Sequence, residues 1–256
     1  MKKAILWTAA VLVSAGIASA ADDPMVGDWK LNPAKSKLTD EMKVASLGGN
    51  KYSIDFGGGA MEVVADGTDQ PGTFGLTMAI KVDGPGKWTV LRKKDGKVVV
   101  TGIWTLSPDG KKLNDHYTSV QPNGGTNSLD YVYERRNSGE GFVGDWVSTS
   151  EQVNTESVMQ VRPWEGDGLS FATKGGGGTT NVKFDEKDYA AVGAVVDGVT
   201  SSASRANDRE FEMTVKIDGK VINTQEMKLS EDGKTLTNTI HIPGRSDADV
   251  MVFERQ

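Results

Sequence analysis

A four-residue motif, Val-Gly-Asp-Trp, occurs twice in the sequence, at residues 26–29 and 143–146. Each copy opens a segment of about 110 residues, and the two segments close on matching aromatic-Glu-Arg triplets at 133–135 and 253–255. Two copies are too few for a solenoid, in which several stacked repeats share one continuous core. The duplication therefore predicts two domains of the same fold, each with a core of its own.

Turn signals divide both segments into short pieces. The dipeptide Asp-Gly occurs eight times, and it favours tight hairpins because both central residues of a type I′ turn need positive φ. Between the turns, apolar and polar residues alternate, as from Phe211 to Ile217, which is typical of a half-buried strand. Many short strands joined by tight turns predict an all-β fold, built as an antiparallel meander, sandwich or barrel.

The first twenty residues have the pattern of a secretory signal peptide. Lys2 and Lys3 precede a short apolar run at 4–13, and Ala-Ser-Ala at 18–20 is a typical cleavage site. We predict cleavage after Ala20 and a mature protein in the periplasm or outside the cell. The chain has no cysteine, so the mature protein lacks disulfide bonds and a lipid-anchoring cysteine.

Domain boundaries follow from the repeat and from one polar, Gly-containing stretch. We predict a signal peptide at 1–20, a first barrel at 21–136, a linker at 137–141 and a second barrel at 142–256. Residues 137–141 are assigned to the linker because they are polar and break the strand pattern between the two copies.

The Gly-x-Trp motif near the start of each repeat, together with the arginine near its end, resembles the lipocalin and fatty-acid-binding (calycin) superfamily. The surrounding sequence is similar to secreted bacterial lipocalin-like proteins of unassigned function. The resemblance implies an all-β fold of two tandem antiparallel up-and-down lipocalin-like β-barrels, each of eight to ten strands. It also implies that the tryptophan and the arginine close one end of each barrel, so that Trp29 would meet Arg135 and Trp146 would meet Arg255. In such proteins these residues are structural and do not identify a ligand.

Charge argues against two classes of partner. The formal net charge is −6, and removal of residues 1–20 with their two lysines makes it −8. An acidic chain repels phosphate backbones, so we predict no nucleic-acid partner. No polybasic cluster or apolar segment suggests attachment to a membrane once the signal is removed. The oligomeric state is not predicted.

We found no residue pattern for catalysis, a cofactor or a metal. The chain lacks a cysteine nucleophile and a Gly-x-Ser-x-Gly elbow. The only histidines, His116 and His241, lie at non-equivalent positions of the repeat, and a shared zinc site would require both barrels to meet there. Acidic turns around Asp66 and Asp185 lack the spacing of a calcium loop. We therefore predict a protein that is not an enzyme and holds neither metal nor cofactor.

The remaining candidates are large side chains on the predicted strands, which either fill two solid cores or line a pocket. In the first copy they are aromatic and in the second mainly methionine: Trp88, Trp104, Tyr117, Tyr131, Tyr133, Met213 and Met227. The leading hypothesis is a secreted, non-enzymatic binding protein for a small apolar or amphipathic ligand. The alternative is a protein-interaction or inhibitor module of the cell envelope, with solid barrel cores.

Overall fold

The structure is a computed structural model that describes residues 22–57, 59–121 and 124–256. The predicted signal peptide at 1–20 lies outside the described residues. The described chain contains twenty strands and no α-helix, and hence no helix able to cross a membrane. In chain order the strands are β1 Gly27–Leu31, β2 Glu41–Gly48, β3 Lys51–Asp55, β4 Met61–Val64, β5 Gln70–Pro71, β6 Thr77–Gly84, β7 Lys87–Lys94, β8 Lys97–Leu106, β9 Lys112–Val120, β10 Thr126–Arg135, β11 Gly144–Val153, β12 Val158–Trp164, β13 Gly168–Thr173, β14 Thr179–Val182, β15 Tyr189–Ala190, β16 Val199–Asn207, β17 Glu210–Ile217, β18 Lys220–Leu229, β19 Thr235–His241 and β20 Asp249–Arg255.

These strands form two ten-stranded antiparallel sheets, each rolled into a nearly closed barrel, which confirms the predicted fold class. The first barrel has the order β4-β3-β2-β11-β10-β9-β8-β7-β6-β5. The second has the order β14-β13-β12-β1-β20-β19-β18-β17-β16-β15. Most neighbours in a sheet are also neighbours in sequence, as expected when hairpins join successive antiparallel strands.

The two barrels exchange their Gly-x-Trp strands. Strand β1 lies between β12 and β20 of the second barrel, and β11 lies between β2 and β10 of the first. The sheets are therefore not built from the contiguous segments 21–136 and 142–256. Residues 137–141 join two adjacent strands of one sheet instead of linking the barrels. The chain crosses between the barrels at residues 32–40 and 154–157.

Interactions along the two crossings hold the exchange in place. In the first crossing, the backbones of Lys37 and Val250 pair through two hydrogen bonds of 2.8 and 2.7 Å. In the second crossing, the backbone N–H of Asn154 donates to the Ser128 carbonyl at 2.9 Å, and the backbone N–H of Ser128 donates to the Thr155 hydroxyl at 2.9 Å. The first crossing thus runs beside β20 of the second barrel, and the second crossing runs beside β10 of the first.

The exchange also changes which tryptophan meets which arginine. The Arg255 guanidinium carbon lies 4.1 Å from the centre of the Trp29 ring, and that of Arg135 lies 4.3 Å from the Trp146 ring. The predicted pairs Trp29–Arg135 and Trp146–Arg255 were therefore wrong, although each tryptophan does stack on a terminal arginine. Such cation–π stacking contributes on the order of 1 kcal/mol or more when it is shielded from water.

Hydrogen bonds explain why the closure needs these residue types. The Trp29 indole donates to the Met25 carbonyl at 2.8 Å, and Arg255 donates to the carbonyls of Gly233 and Val26 at 2.7 and 2.8 Å. A Cβ added to Gly27 would lie 2.6 Å from Arg255 Nη1, and the backbone there has a φ of 154°. Only glycine allows this approach of the guanidinium to the backbone.

Each barrel has a separate core. The core of the second barrel contains Met25, Trp29 and Leu31 from the N-terminal segment, packed with Phe211 and Leu236.

Within the first barrel, the Gln70 side-chain amide joins β4 to β5, because it both accepts from and donates to the Val64 backbone at 2.8 Å. A side chain thus replaces a backbone ladder at the seam of that barrel.

Candidate ligand-binding site

A cavity of about 370 Å³ lies inside the first barrel. Its walls come from β7, β8, β9 and β10, with Glu151 of β11 at its edge. Phe56, which follows β3, also lines the cavity. Two further elements contribute to the lining: residues 38–40 of the first crossing, and the end of the second barrel that includes Ile242, Arg245 and Asp249. The first barrel therefore forms most of the cavity wall, and the end of the second barrel covers part of the cavity.

Arg245 connects this end of the second barrel to the first barrel. Its guanidinium donates to the carbonyls of Thr39 and Phe56 at 2.9 and 3.3 Å and forms an ion pair with the Asp40 carboxylate. The Tyr133 hydroxyl donates to the same carboxylate at 2.6 Å. Burial raises the pKa of Asp40, while the charge of Arg245 opposes that effect. One arginine thus ties the loop between β19 and β20 to the first crossing and to the first barrel.

Arg92 supplies a positive charge inside the cavity. Its guanidinium carbon lies 4.3 Å from the centre of the Phe56 ring, and this stacking leaves the N–H groups at the edge of the guanidinium available. Among the described residues, the Arg92 side chain forms no hydrogen bond and no ion pair within 4.0 Å. Burial lowers the pKa of Arg92, yet a guanidinium stays protonated in proteins. Arg92 is therefore a cation without a paired anion.

Asp115 supplies a buried carboxyl to the same cavity. The residue is only 8% exposed, and its Oδ1 has no hydrogen-bond partner in the described part of the chain. Burial raises the pKa of Asp115 to about 7, against the opposing effect of a hydrogen bond from the Trp104 side chain, and the charge of Asp40 raises it further. The side chain lies against Gly102, where an added Cβ would come 3.0 Å from Asp115 Oδ1 and 3.2 Å from Trp104 Nε1. Glycine at this position leaves room beside the carboxyl.

Three tyrosines form an aromatic wall. The Tyr131 ring stacks on Tyr133 with centres 5.7 Å apart and meets the edge of Tyr117 at 6.3 Å. Burial raises the pKa of all three phenols, so their hydroxyls stay neutral and can donate. Burial likewise raises the pKa of Glu151 to about 7. The cavity combines aromatic surface with a few polar groups, which is the usual composition of a small-molecule site.

The second barrel carries different residues at the equivalent strand positions. The turns at 95–97 and 218–220 place Arg92 opposite Val100 in the first barrel and Val215 opposite Asn223 in the second. In the same way Asp115 corresponds to Asn238, and Gly102 to Gln225. Asn238 is buried, and its side-chain amide donates to Gln225 Oε1 at 2.9 Å. Where the first barrel has a glycine and a carboxyl, the second thus has two amides that bond to each other.

The remaining wall positions differ in the same direction. Tyr131 and Tyr133 both lie on β10, and the equivalent β20 residues are Met251 and Phe253. Met251 and Phe253 pack in the core of the second barrel. The polar positions that line the cavity of the first barrel are therefore mostly occupied by apolar residues in the second barrel.

The structure brings four of the seven predicted ligand-binding residues together. Trp104, Tyr117, Tyr131 and Tyr133 all line the cavity. Trp88 is 5% exposed and lies in the core of the first barrel, where its ring stacks on Phe142 with centres 4.1 Å apart. The methionines are buried in the core of the other barrel, which separates them from this group: Met213 and Met227.

The prediction from sequence missed the charged members of the site. Arg92 begins a short basic run with two lysines, which we considered only as a membrane anchor, and Asp115 was one of thirty-five acidic residues. A signal was present, however. Both residues fall on the inward-facing set of their strands, and the second repeat has valine and asparagine at those positions. A charge on an inward-facing position costs free energy of solvation unless it is paired and hydrogen-bonded. Charged residues at these two positions therefore indicate a candidate site.

The histidines and acidic turns have other neighbours. His116 Nδ1 lies 2.6 Å from Asp130 Oδ1, and His241 Nε2 lies 3.8 Å from Glu226 Oε1, each within its own sheet. The turn carboxylates at Asp69 and Asp188 form ion pairs with lysines. Within the described residues, no group of three or more His, Asp or Glu side chains is arranged to hold a metal ion.

Comparisons of this chain with protein-family models, with curated proteins and with solved structures each find no match.

Proposed function

We propose that the chain is a secreted, lipocalin-like tandem protein that binds a small amphipathic ligand in the first barrel, without catalysing a reaction. The cavity of about 370 Å³ carries this proposal. It lies at the small end of the range of about 300–1,000 Å³ that is usual for ligand sites. The second barrel serves as a structural partner that covers the site with the loop bearing Arg245.

The contrast between the two barrels supports binding over simple core filling. Equivalent positions of two similar barrels need only be apolar if their sole task is packing, as at Val215 and Met251 of the second barrel. The first barrel instead keeps Arg92 and Asp115 inside, at a cost in solvation. The envelope-interaction hypothesis, which assumes solid cores, gives no reason for that cost.

The proposed compartment rests on the sequence of residues 1–20. The signal pattern supports export to the periplasm or beyond the cell, where a soluble carrier would meet small molecules released from or destined for the cell surface. Membership of the calycin superfamily is likewise proposed from the Gly-x-Trp and arginine closure, which occurs in both barrels.

A cavity-filling variant tests the proposal. The double substitution Gly102→Gln with Asp115→Asn copies the Gln225–Asn238 pair of the second barrel into the first. We expect the variant to fold and to bind the amphipathic anion 1-anilinonaphthalene-8-sulfonate at least about tenfold more weakly than the wild type, a loss of roughly 1.4 kcal/mol or more. Fluorescence titration of delipidated protein measures the affinity.

The matched control is Thr105→Gln, because Thr105 lies on the same strand as Gly102 and is exposed. It should leave dye binding unchanged. Circular dichroism and urea unfolding establish that both variants are folded. Equal, saturable dye binding by a folded double variant would contradict the cavity as the site, and no saturable binding by the wild type would contradict the proposal itself.

A further inference from the structure

Two opposite charges line the same cavity without pairing. Arg92 and Asp115 both face the interior of the first barrel, yet no ion pair within 4.0 Å joins them among the described residues. Opposite charges buried together normally pair, because an isolated buried charge has lost its hydration without replacement. Their separation leaves space between them that a third group can occupy.

Arg92 favours an anionic group at one end of a molecule bound in this space. Stacking on Phe56 fixes the plane of its guanidinium, and the free N–H edge matches the geometry of a carboxylate or a similar anion through two parallel hydrogen bonds. Three acidic side chains near the cover, Asp40, Glu151 and Asp249, oppose a high negative charge. They favour a ligand with a single negative charge over one with several.

Asp115 selects the other end. Its Oδ1 has no partner, and the residue is more than nine-tenths buried. A hydroxyl group satisfies this carboxyl in either protonation state, because it donates to the carboxylate and accepts from the acid. The tyrosines and Trp104 between the two charges offer flat aromatic surface.

We propose that the ligand carries an anionic group that pairs with Arg92 and, at a separate position, a hydroxyl or other hydrogen-bond donor that meets Asp115. This inference rests on the proposed binding function and names the chemical class of the ligand: a small monoanionic acid with an aromatic or similarly flat body and a distal polar group. A simple fatty acid satisfies only Arg92, and a neutral phenol satisfies only Asp115.

A matched set of three probes separates the two contributions. 3-(4-Hydroxyphenyl)propanoate has both groups, 3-phenylpropanoate has only the acid, and 4-ethylphenol has only the hydroxyl. By isothermal titration calorimetry, we expect the hydroxy acid to bind the wild type at least about tenfold more tightly than either other probe, as is usual for one buried hydrogen bond to a charged group.

Variants at the two charged residues assign the contributions. Arg92→Val introduces the residue that the second barrel carries at this position, Val215. It should weaken both acids about tenfold or more and leave 4-ethylphenol unchanged. Asp115→Leu should reduce the hydroxy acid to the affinity of 3-phenylpropanoate. Lys87→Val is the charge-matched control, because Lys87 lies exposed on the same strand as Arg92, and it should change none of the affinities.

The outcomes distinguish this inference from the proposed function. Equal affinity of the wild type for all three probes, or equal weakening of acids and phenol by Arg92→Val, would overturn the assignment of the two ends. Failure of all three probes to bind while the anilinonaphthalene dye still binds would overturn the ligand class and leave the cavity as a site. Failure of the dye as well would overturn both.

Discussion

Replacing Trp29 with alanine is expected to unfold the second barrel, although Trp29 lies at the N-terminal end of the described chain. The side chain is fully buried in the core of that barrel, and it stacks on Arg255. Loss of a buried tryptophan typically costs about 3–5 kcal/mol through lost transfer energy and the cavity left behind. Hydrogen–deuterium exchange should show faster exchange in peptides from residues 158–255 and near-normal protection in 41–153.

Trp146→Ala provides the reciprocal control. Trp146 is buried in the first barrel beneath Arg135, so its loss should deprotect residues 41–153 first. Both results together measure the exchange of strands directly. If Trp29→Ala deprotects 41–135 and spares 158–255, then β1 belongs to the first barrel and the exchange is wrong.

A fragment experiment examines the same exchange without substitutions. All ten strands of the first barrel fall within residues 41–153, so a fragment of residues 38–156 should fold and unfold cooperatively in urea. The fragment 21–136 lacks β11 and leaves β2 and β10 as unpaired edges, which favours aggregation. A monomeric, cooperatively folding 21–136 fragment would show that β1 can replace β11.

Asp115→Asn is expected to stabilise the protein at alkaline pH and to have little effect near pH 4. Burial raises the pKa of Asp115 from 3.8 to about 7, so between these values the unfolded chain binds fewer protons than the folded protein. The stability of the wild type therefore falls as pH rises through this range. The cost of the buried charge is complete above about pH 7 and amounts to roughly 2–4 kcal/mol.

Urea unfolding of both proteins from pH 4 to pH 8 measures this effect. The difference in the free energy of unfolding should grow with pH and level off above about pH 7. Asparagine has nearly the same shape as the protonated acid and already occupies the equivalent buried position as Asn238, so the pH-independent part should be small. A difference that stays constant across the range would mean that Asp115 ionises in the folded protein at its ordinary value.

Much of the architecture could be predicted from local sequence. Asp-Gly at eight places identifies turns, and period-2 alternation identifies strands such as Phe211 to Ile217, because both signals arise within a few residues of one another. The family resemblance also led us to predict that each tryptophan contacts an arginine near the end of a repeat. Which arginine each tryptophan meets could not be predicted in this way, because the strand order of the sheets decides it: Trp29 stacks on Arg255, 226 positions away, whereas Trp146 stacks on Arg135, 11 positions away.

The site was predictable only in its aromatic half. Four large aromatic residues stand out on strands in which inward-facing and outward-facing residues alternate: Trp104, Tyr117, Tyr131 and Tyr133. Trp88 has the same pattern, yet it lies in a solid core. The difference depends on what fills the space next to each ring. Gly102 leaves that space beside Asp115, and the loop of the second barrel that covers it comes from the far end of the chain.

The sequence by itself determined the antiparallel strands and their turns, since these depend on residue type and short-range spacing, and the resemblance of its Gly-x-Trp and arginine motifs predicted the barrels and the chemical nature of their closure. Only the tertiary structure decided that the barrels exchange strands. Residues 27–29 and 144–146 are identical, so either strand offers the same hydrogen bonds and the same tryptophan to either barrel. The choice depends on the path of the two crossings, and that path is also what places Arg245 over the cavity of the first barrel.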